Sequence, residues 1–177
     1  MFARILLLSL AILIPALSRA AVALPASPKP RQSEADRLLA DAERRLTQHT
    51  FESRRVAIRE LEEACALEPQ RVDLQLRLAR TYADAGFTKQ SRLRFERALK
   101  IAPDNADARM GLGFAWRHDW LKYLERRSLD RAIEHFAASA RLDPQRADAW
   151  LMVSALEVEK NERRHQDRKS TRLNSSL

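Results

Sequence analysis

Two prolines set the frame of this chain. Pro69 and Pro103 stand 34 residues apart, and between them Leu78, Ala79, Tyr82, Gly86, Ser91, Phe95 and Ala98 follow in order. Leu78 and Tyr82 recur at helical spacing on one face, as do Phe95, Ala98 and Leu99, which predicts two amphipathic helices rather than strands. Gly86 separates them. Helices that cross closely need small residues at the crossing; Ala79, Ser91 and Ala98 supply them, with Phe95 as the large side chain between. Pro103 cannot continue a helix, so it ends the second one, and Asn105 is placed to cap the next.

This pattern resembles the tetratricopeptide repeat (TPR), a helix-turn-helix unit of about 34 residues closed by proline. The resemblance implies an all-α fold, a right-handed superhelical solenoid of antiparallel helix pairs with about three and a half repeats. The units are expected at about 38–71, 72–105, 106–146 and, incomplete, 147–166. The third unit carries Leu112, Gly113 and Trp116, then Ala132, Phe136, Ser139 and Pro144; its period is 41, so seven extra residues lie between its helices. Trp116, Trp120 and Tyr123 recur at i, i+4 and i+7, which carries the first helix through the insertion. In the first unit Ala57, Leu61, Ala64 and Pro69 mark a second helix, preceded by a less regular first helix with Leu39, Ala42 and Leu46. Trp150, Val153 and Ser154 begin a fourth unit whose second helix is missing: its marker positions hold Gln166, Ser170 and Leu173.

Asp167 to Ser176, ten consecutive residues, resemble the in-frame translation of a common short-read sequencing adapter. On that reading residues 167–177 are an adapter-derived tail and the chain is a piece of a longer protein; the alternative is a genuine polar tail. Too few apolar side chains follow Gln166 to build a capping helix, so the tail is expected to be disordered or loosely helical.

At the other end Arg4 precedes an apolar run from Ile5 to Leu17, and Ser18-Arg19-Ala20 offers the small residues that export cleavage requires, so residues 1–20 read as a signal peptide. Ala21-Val22-Ala23 is a second cleavage site. A membrane anchor is the alternative, against which stand the shortness of the run and the break at Pro15. Residues 21–33 form a linker punctuated by Pro25, Pro28 and Pro30, and Ser33 with Asp36 resembles a capping pair that opens the TPR domain, 34–166.

Chemistry leaves few marks. Gly86, Gly111 and Gly113 are the only glycines, which excludes a phosphate loop or a dinucleotide fingerprint. His49, His118, His135 and His165 have no metal-ligand spacing, and Cys65 alone completes no zinc set. Cys65 reads as a buried apolar residue, and His118-Asp119 as a solvated pair. The formal charge is +8, of which Arg4 and Arg19 supply two and the last eleven residues a net two. Arginines sit beside acids at helical spacing, as in Arg59 with Glu63 and Glu96 with Lys100, which describes solvated faces rather than a nucleic-acid surface. The stripe Trp116, Trp120 and Tyr123 reads as packing of an elongated helix, with a ligand platform as the alternative.

The resemblance places binding on the concave face, lined by the first helix of each unit. The matching positions are Asp73, Leu76, Arg77 and Arg80; then Asp107, Met110, Gly111 and Phe114; then Asp148, Leu151, Met152 and Ala155. They give an apolar floor with acids at its edge and two arginines at one end, suited to an extended peptide or a partner helix. The lysine and asparagine with which some family members clamp C-terminal carboxylates have no counterpart. The expected protein is an exported scaffold of the cell envelope, periplasmic or extracellular, with a protein or peptide partner in the groove. The alternatives are the N-terminal adaptor of a larger envelope enzyme or assembly factor, and a structural spacer. No catalysis, cofactor, metal, specific nucleic acid or stable membrane span after signal cleavage is expected, while the uncapped C-terminal face is open to self-association.

Overall fold

The computed structural model describes residues 33–174, so the expected signal peptide and nearly all of the linker lie outside the described residues. The described residues form seven α-helices: α1 Glu34–Leu46, α2 Phe51–Leu67, α3 Val72–Asp84, α4 Thr88–Ile101, α5 Ala106–Tyr123, α6 Arg126–Leu142 and α7 Ala147–Asn174. α1 packs with α2, α3 with α4 and α5 with α6; α2·α3 and α4·α5 contacts join the pairs in series, and α7 lies against α6. This is an all-α solenoid of about three and a half repeats. Among the described residues no helix is long and apolar enough to cross a membrane.

The helix ends follow from short-range chemistry. Ser33 and Asp36 form a reciprocal capping box on α1, Thr50 and Ser53 another on α2, and the Asn105 side chain accepts from the Ala108 amide at 2.8 Å. α2, α4 and α6 all end two residues before a proline, and the capping residues between, Glu68, Ala102 and Asp143, have φ values between −128° and −131° and ψ values between 71° and 88°. Proline bars the α conformation in the residue before it, so each chain end is pushed out of the helix at the same angle. Gly86 turns α3 into α4 at φ +81°. The corresponding turn after α5 puts Leu124 at φ +56°, a conformation that costs a branched residue roughly 1–2 kcal/mol.

The core is serial. One cluster joins α1, α2 and α3 through Ala42, Leu61, Ala64, Leu74 and Leu78; the next joins α3, α4 and α5 through Ala79, Phe95, Ala98, Ala108 and Leu112; the third joins α5, α6 and α7 through Trp120, Ala132, Phe136, Ala149 and Leu156. Ala79, Ser91 and Ala98 are fully buried, which lets Phe95 sit at the crossing. An added Cβ on Gly113 would meet the Phe136 ring at 2.6 Å, so the glycine makes room for that ring.

The seven-residue insertion makes no loop: α5 runs through it to Tyr123, as the spacing of Trp116, Trp120 and Tyr123 predicts, and α6 begins at Arg126 and is itself longer than α4. In the fourth unit Val153 packs inward on the third cluster, while Trp150, Leu151 and Val158 are exposed. Residues 167–174 continue α7 as helix rather than fraying, and Asp167 pairs with Arg126 at 3.1 Å. The polar composition still shows, since residues 164–172 bury nothing.

Candidate functional site

Five of the groove positions named from the sequence meet in one place. Arg80, Asp107, Met110, Gly111 and Phe114 line a pocket of about 440 Å³ on the concave side, joined by Phe95, Ala83, Asp84, Thr88 and His118. α3 supplies one wall, α5 the opposite wall, and the start of α4 the end between them. Gly111 forms the floor because a side chain there would collide with the Phe95 ring beneath. Phe114 stays half-exposed at the rim, held edge-on to Phe136 with ring centroids 5.1 Å apart.

The rim charges are already engaged. Arg80 reaches Asp107 at 3.0 Å, and Arg146, from the loop before α7, reaches the other carboxylate oxygen at 2.6 Å. The hydrogen bond from Arg146, with the nearby charge of Arg80, holds the Asp107 carboxyl below the usual aspartate range. One aspartate thus links three successive first helices, α3, α5 and α7. The first two units have a parallel latch: Arg71, at the start of α3, reaches back to Asp36 on α1 at 2.6 Å. Asp36 is lowered in turn, first by that hydrogen bond.

The remaining named residues are elsewhere. Asp73 pairs with Arg71 at 2.6 Å, and Leu76 is in the second core cluster rather than on a groove floor. Arg77 turns toward α1 and Glu43, 3.5 Å away. Asp148 accepts from the Ala149 amide at 2.9 Å at the start of α7; Leu151 is exposed, Ala155 is exposed, and Met152 packs partly on the third cluster. Sequence reasoning passed over Arg146, although Pro-Gln-Arg recurs at Pro69–Arg71 and Pro144–Arg146 directly before a first helix.

His118-Asp119 is not a solvated pair. Asp119 is mostly buried against Arg92, whose guanidinium also stacks 4.2 Å over the Trp116 ring, while exposed His118 lies 3.3 Å from the Thr88 hydroxyl. The aromatic stripe divides along the helix. Trp120 is buried, donates from its indole to Glu159 at 2.9 Å and carries Arg163 over its face, so it fastens α7; Tyr123 is exposed. Cys65 is buried, and burial pushes its thiol pKa up to about 11, which keeps it protonated at neutral pH. Among the described residues no group of three His, Cys, Asp or Glu side chains is placed to hold a metal ion.

No protein-family model matches the sequence, and no curated protein matches it. Solved structures do. The chain is similar to the Arabidopsis OM64 TPR domain (TM-score 0.61, 16% identity, 71% of this chain and 96% of that one). It is also similar to the first TPR of Spaghetti (RPAP3) bound to the HSP90 peptide SRMEEVD (0.63, 15%, 73% and 95%). MamA gives 0.58 with 20% identity over 68% of this chain and 65% of that chain. The helix pairs, their order and these likenesses together define the tetratricopeptide-repeat fold.

Proposed function

We propose that this chain is an exported protein-interaction module that takes an extended peptide along its concave side and seats one apolar side chain in the pocket between α3 and α5. The observation that carries this reading is the chemistry of that pocket: an apolar base of Phe95, Met110, Gly111 and Phe114 beneath arginines that Asp107 already satisfies. An apolar anchor gains by leaving water there, whereas an acidic one would have to compete with Asp107. A neighbouring fold of the same kind holds a peptide. Export rests on the sequence of the leader, with its basic start, apolar run and Ala20.

Peptide display against the immobilised chain tests the pocket. The parent should enrich sequences sharing a Leu, Met or Phe anchor, and Ala83→Trp, which fills the mouth from an exposed position, should lose them. Peptides that bind Ala83→Trp as well as the parent would place recognition elsewhere. Export is tested separately: mature protein recovered from the envelope should begin shortly after Ala20, and a start at Met1 would contradict it.

A further inference from the structure

The convex side holds a second cavity of different character. Glu96, Leu99 and Lys100 of α4, Arg109, Leu112 and Trp116 of α5, and Arg131 and His135 of α6 surround an open groove of about 370 Å³. Its charges are unanswered. Lys100 and Arg109 have no ion pair and no side-chain hydrogen bond, and Glu96, four residues before Lys100, makes no bridge to it. Arg131 is only loosely held, 3.9 Å from Glu134 outside the groove. Three fixed cations against the single carboxylate of Glu96 leave a surplus of two.

The base of the groove is more unusual than its rim. The Arg109 Nε and the His135 Nδ1 are both buried without a partner. A buried guanidinium nitrogen left unpaired is costly, so such groups are normally matched by an acceptor. The terminal nitrogens of Arg109 and the Nε2 of His135 also lack partners and are not among the buried atoms, and both residues line the groove. Burial, with the charges of Arg109 and Arg131 behind it, lowers the His135 pKa below its ordinary value. One repeat earlier the equivalent groove has Gln75 and Tyr82 where this one has Arg109 and Trp116, each 34 residues before, and there the Tyr82 hydroxyl donates to Glu62. The α4–α6 groove has a carboxylate at the matching place, Glu96, 34 residues after Glu62, but Trp116 makes no hydrogen bond to it and no ion pair holds it.

We propose that the α4–α6 groove binds a compact dianion, a phosphate monoester or a small dicarboxylate, with Arg109 and His135 at its base and Lys100 and Arg131 at its lip. Two negative charges match the surplus, guanidinium groups bind such oxyanions in bidentate fashion, and Leu99 and Trp116 offer a wall to the carbon skeleton.

Calorimetric titration of the purified chain with sodium phosphate and, separately, with disodium succinate, at about pH 8 where both are mainly dianions, tests this and separates the two sources. One equivalent of one or both should bind saturably. The bound anion should raise the His135 pKa followed by NMR, against the opposing pull of Lys100, Arg109 and Arg131 and alongside Glu96 and Glu134. Arg109→Gln should weaken binding at least about tenfold, as the loss of a charge-assisted pair does. Arg94→Gln, in the earlier groove, should leave it unchanged. Should Arg109→Gln fail to fold by circular dichroism, Lys100→Gln on the exposed lip gives the same reading, with several-fold weakening. Binding of neither anion, equal binding by the folded Arg109→Gln and Lys100→Gln variants, or an unmoved His135 overturns the proposal.

Discussion

The two faces of this solenoid hold arginines in opposite states. On the concave side Arg80 and Arg146 converge on Asp107, and Arg71 on Asp36 and Asp73, so their charges fasten one repeat to the next. On the convex side α4 carries Lys89, Arg92, Arg94, Arg97 and Lys100 against one acid, Glu96, and only Arg92 finds an aspartate. A charge with a fixed partner shapes the fold and leaves a nearly neutral pocket, whereas a charge without one gives a surface its selectivity. The concave pocket therefore suits an apolar anchor and the convex groove an anion, the reverse of what a count of arginines on the first helices suggests.

Phe95→Ala breaks both faces at once. The ring underlies Gly111 in the concave pocket, and the same helix presents Glu96 and Lys100 to the convex groove. Its loss should cost about 3–5 kcal/mol in thermal or urea unfolding, as should Phe136→Ala at the matching crossing. A melt like that of the parent would remove Phe95 from the crossing. Asp107→Asn makes the concave side resemble the convex one by freeing Arg80 and Arg146. Because Asp107 is partly exposed, the stability loss should stay under about 1 kcal/mol. Affinity for a glutamate-rich peptide should rise several-fold; no gain would mean that the arginines are not free to turn outward.

Acid should distinguish the faces by smaller effects. His135 has a lowered pKa in the fold, so protonating it opposes folding: stability should decline as pH falls below about 6.5, the unfolded value, and level off below the folded one. His135→Gln should flatten that decline. Asp107, also lowered, acts further down the scale, its latch persisting through the usual aspartate range and failing only as pH falls through its folded value. An unchanged decline in His135→Gln, seen in urea melts from about pH 7.5 down through the His135 window, would detach the effect from the convex groove.

Helices and their ends were legible because their causes are local. Pro69, Pro103 and Pro144 act on the residue before them, Ser33 and Asn105 on amides three residues on, and Phe95 with Ala98 on one helix face. The charges were not, because their partners are remote in sequence: Arg146 meets Asp107 39 residues away, and Arg71 meets Asp36 at 35. Acids at helical spacing, such as Glu63 for Arg59, mark a solvated face: both residues are exposed and neither bonds to the other. The convex groove was hidden for the same reason. Its residues come from three helices, and only the stacking of α4, α5 and α6 shows that Lys100, Arg109 and Arg131 share one hollow.

Peptide and anion should take different faces of the solenoid, and methyl and ring NMR signals read this directly. Addition of a display-selected peptide should move the Ala83 and Met110 methyl resonances, which belong to the concave pocket, and leave the His135 ring where it was. Movement of the His135 ring by the peptide, with Ala83 and Met110 undisturbed, would contradict it.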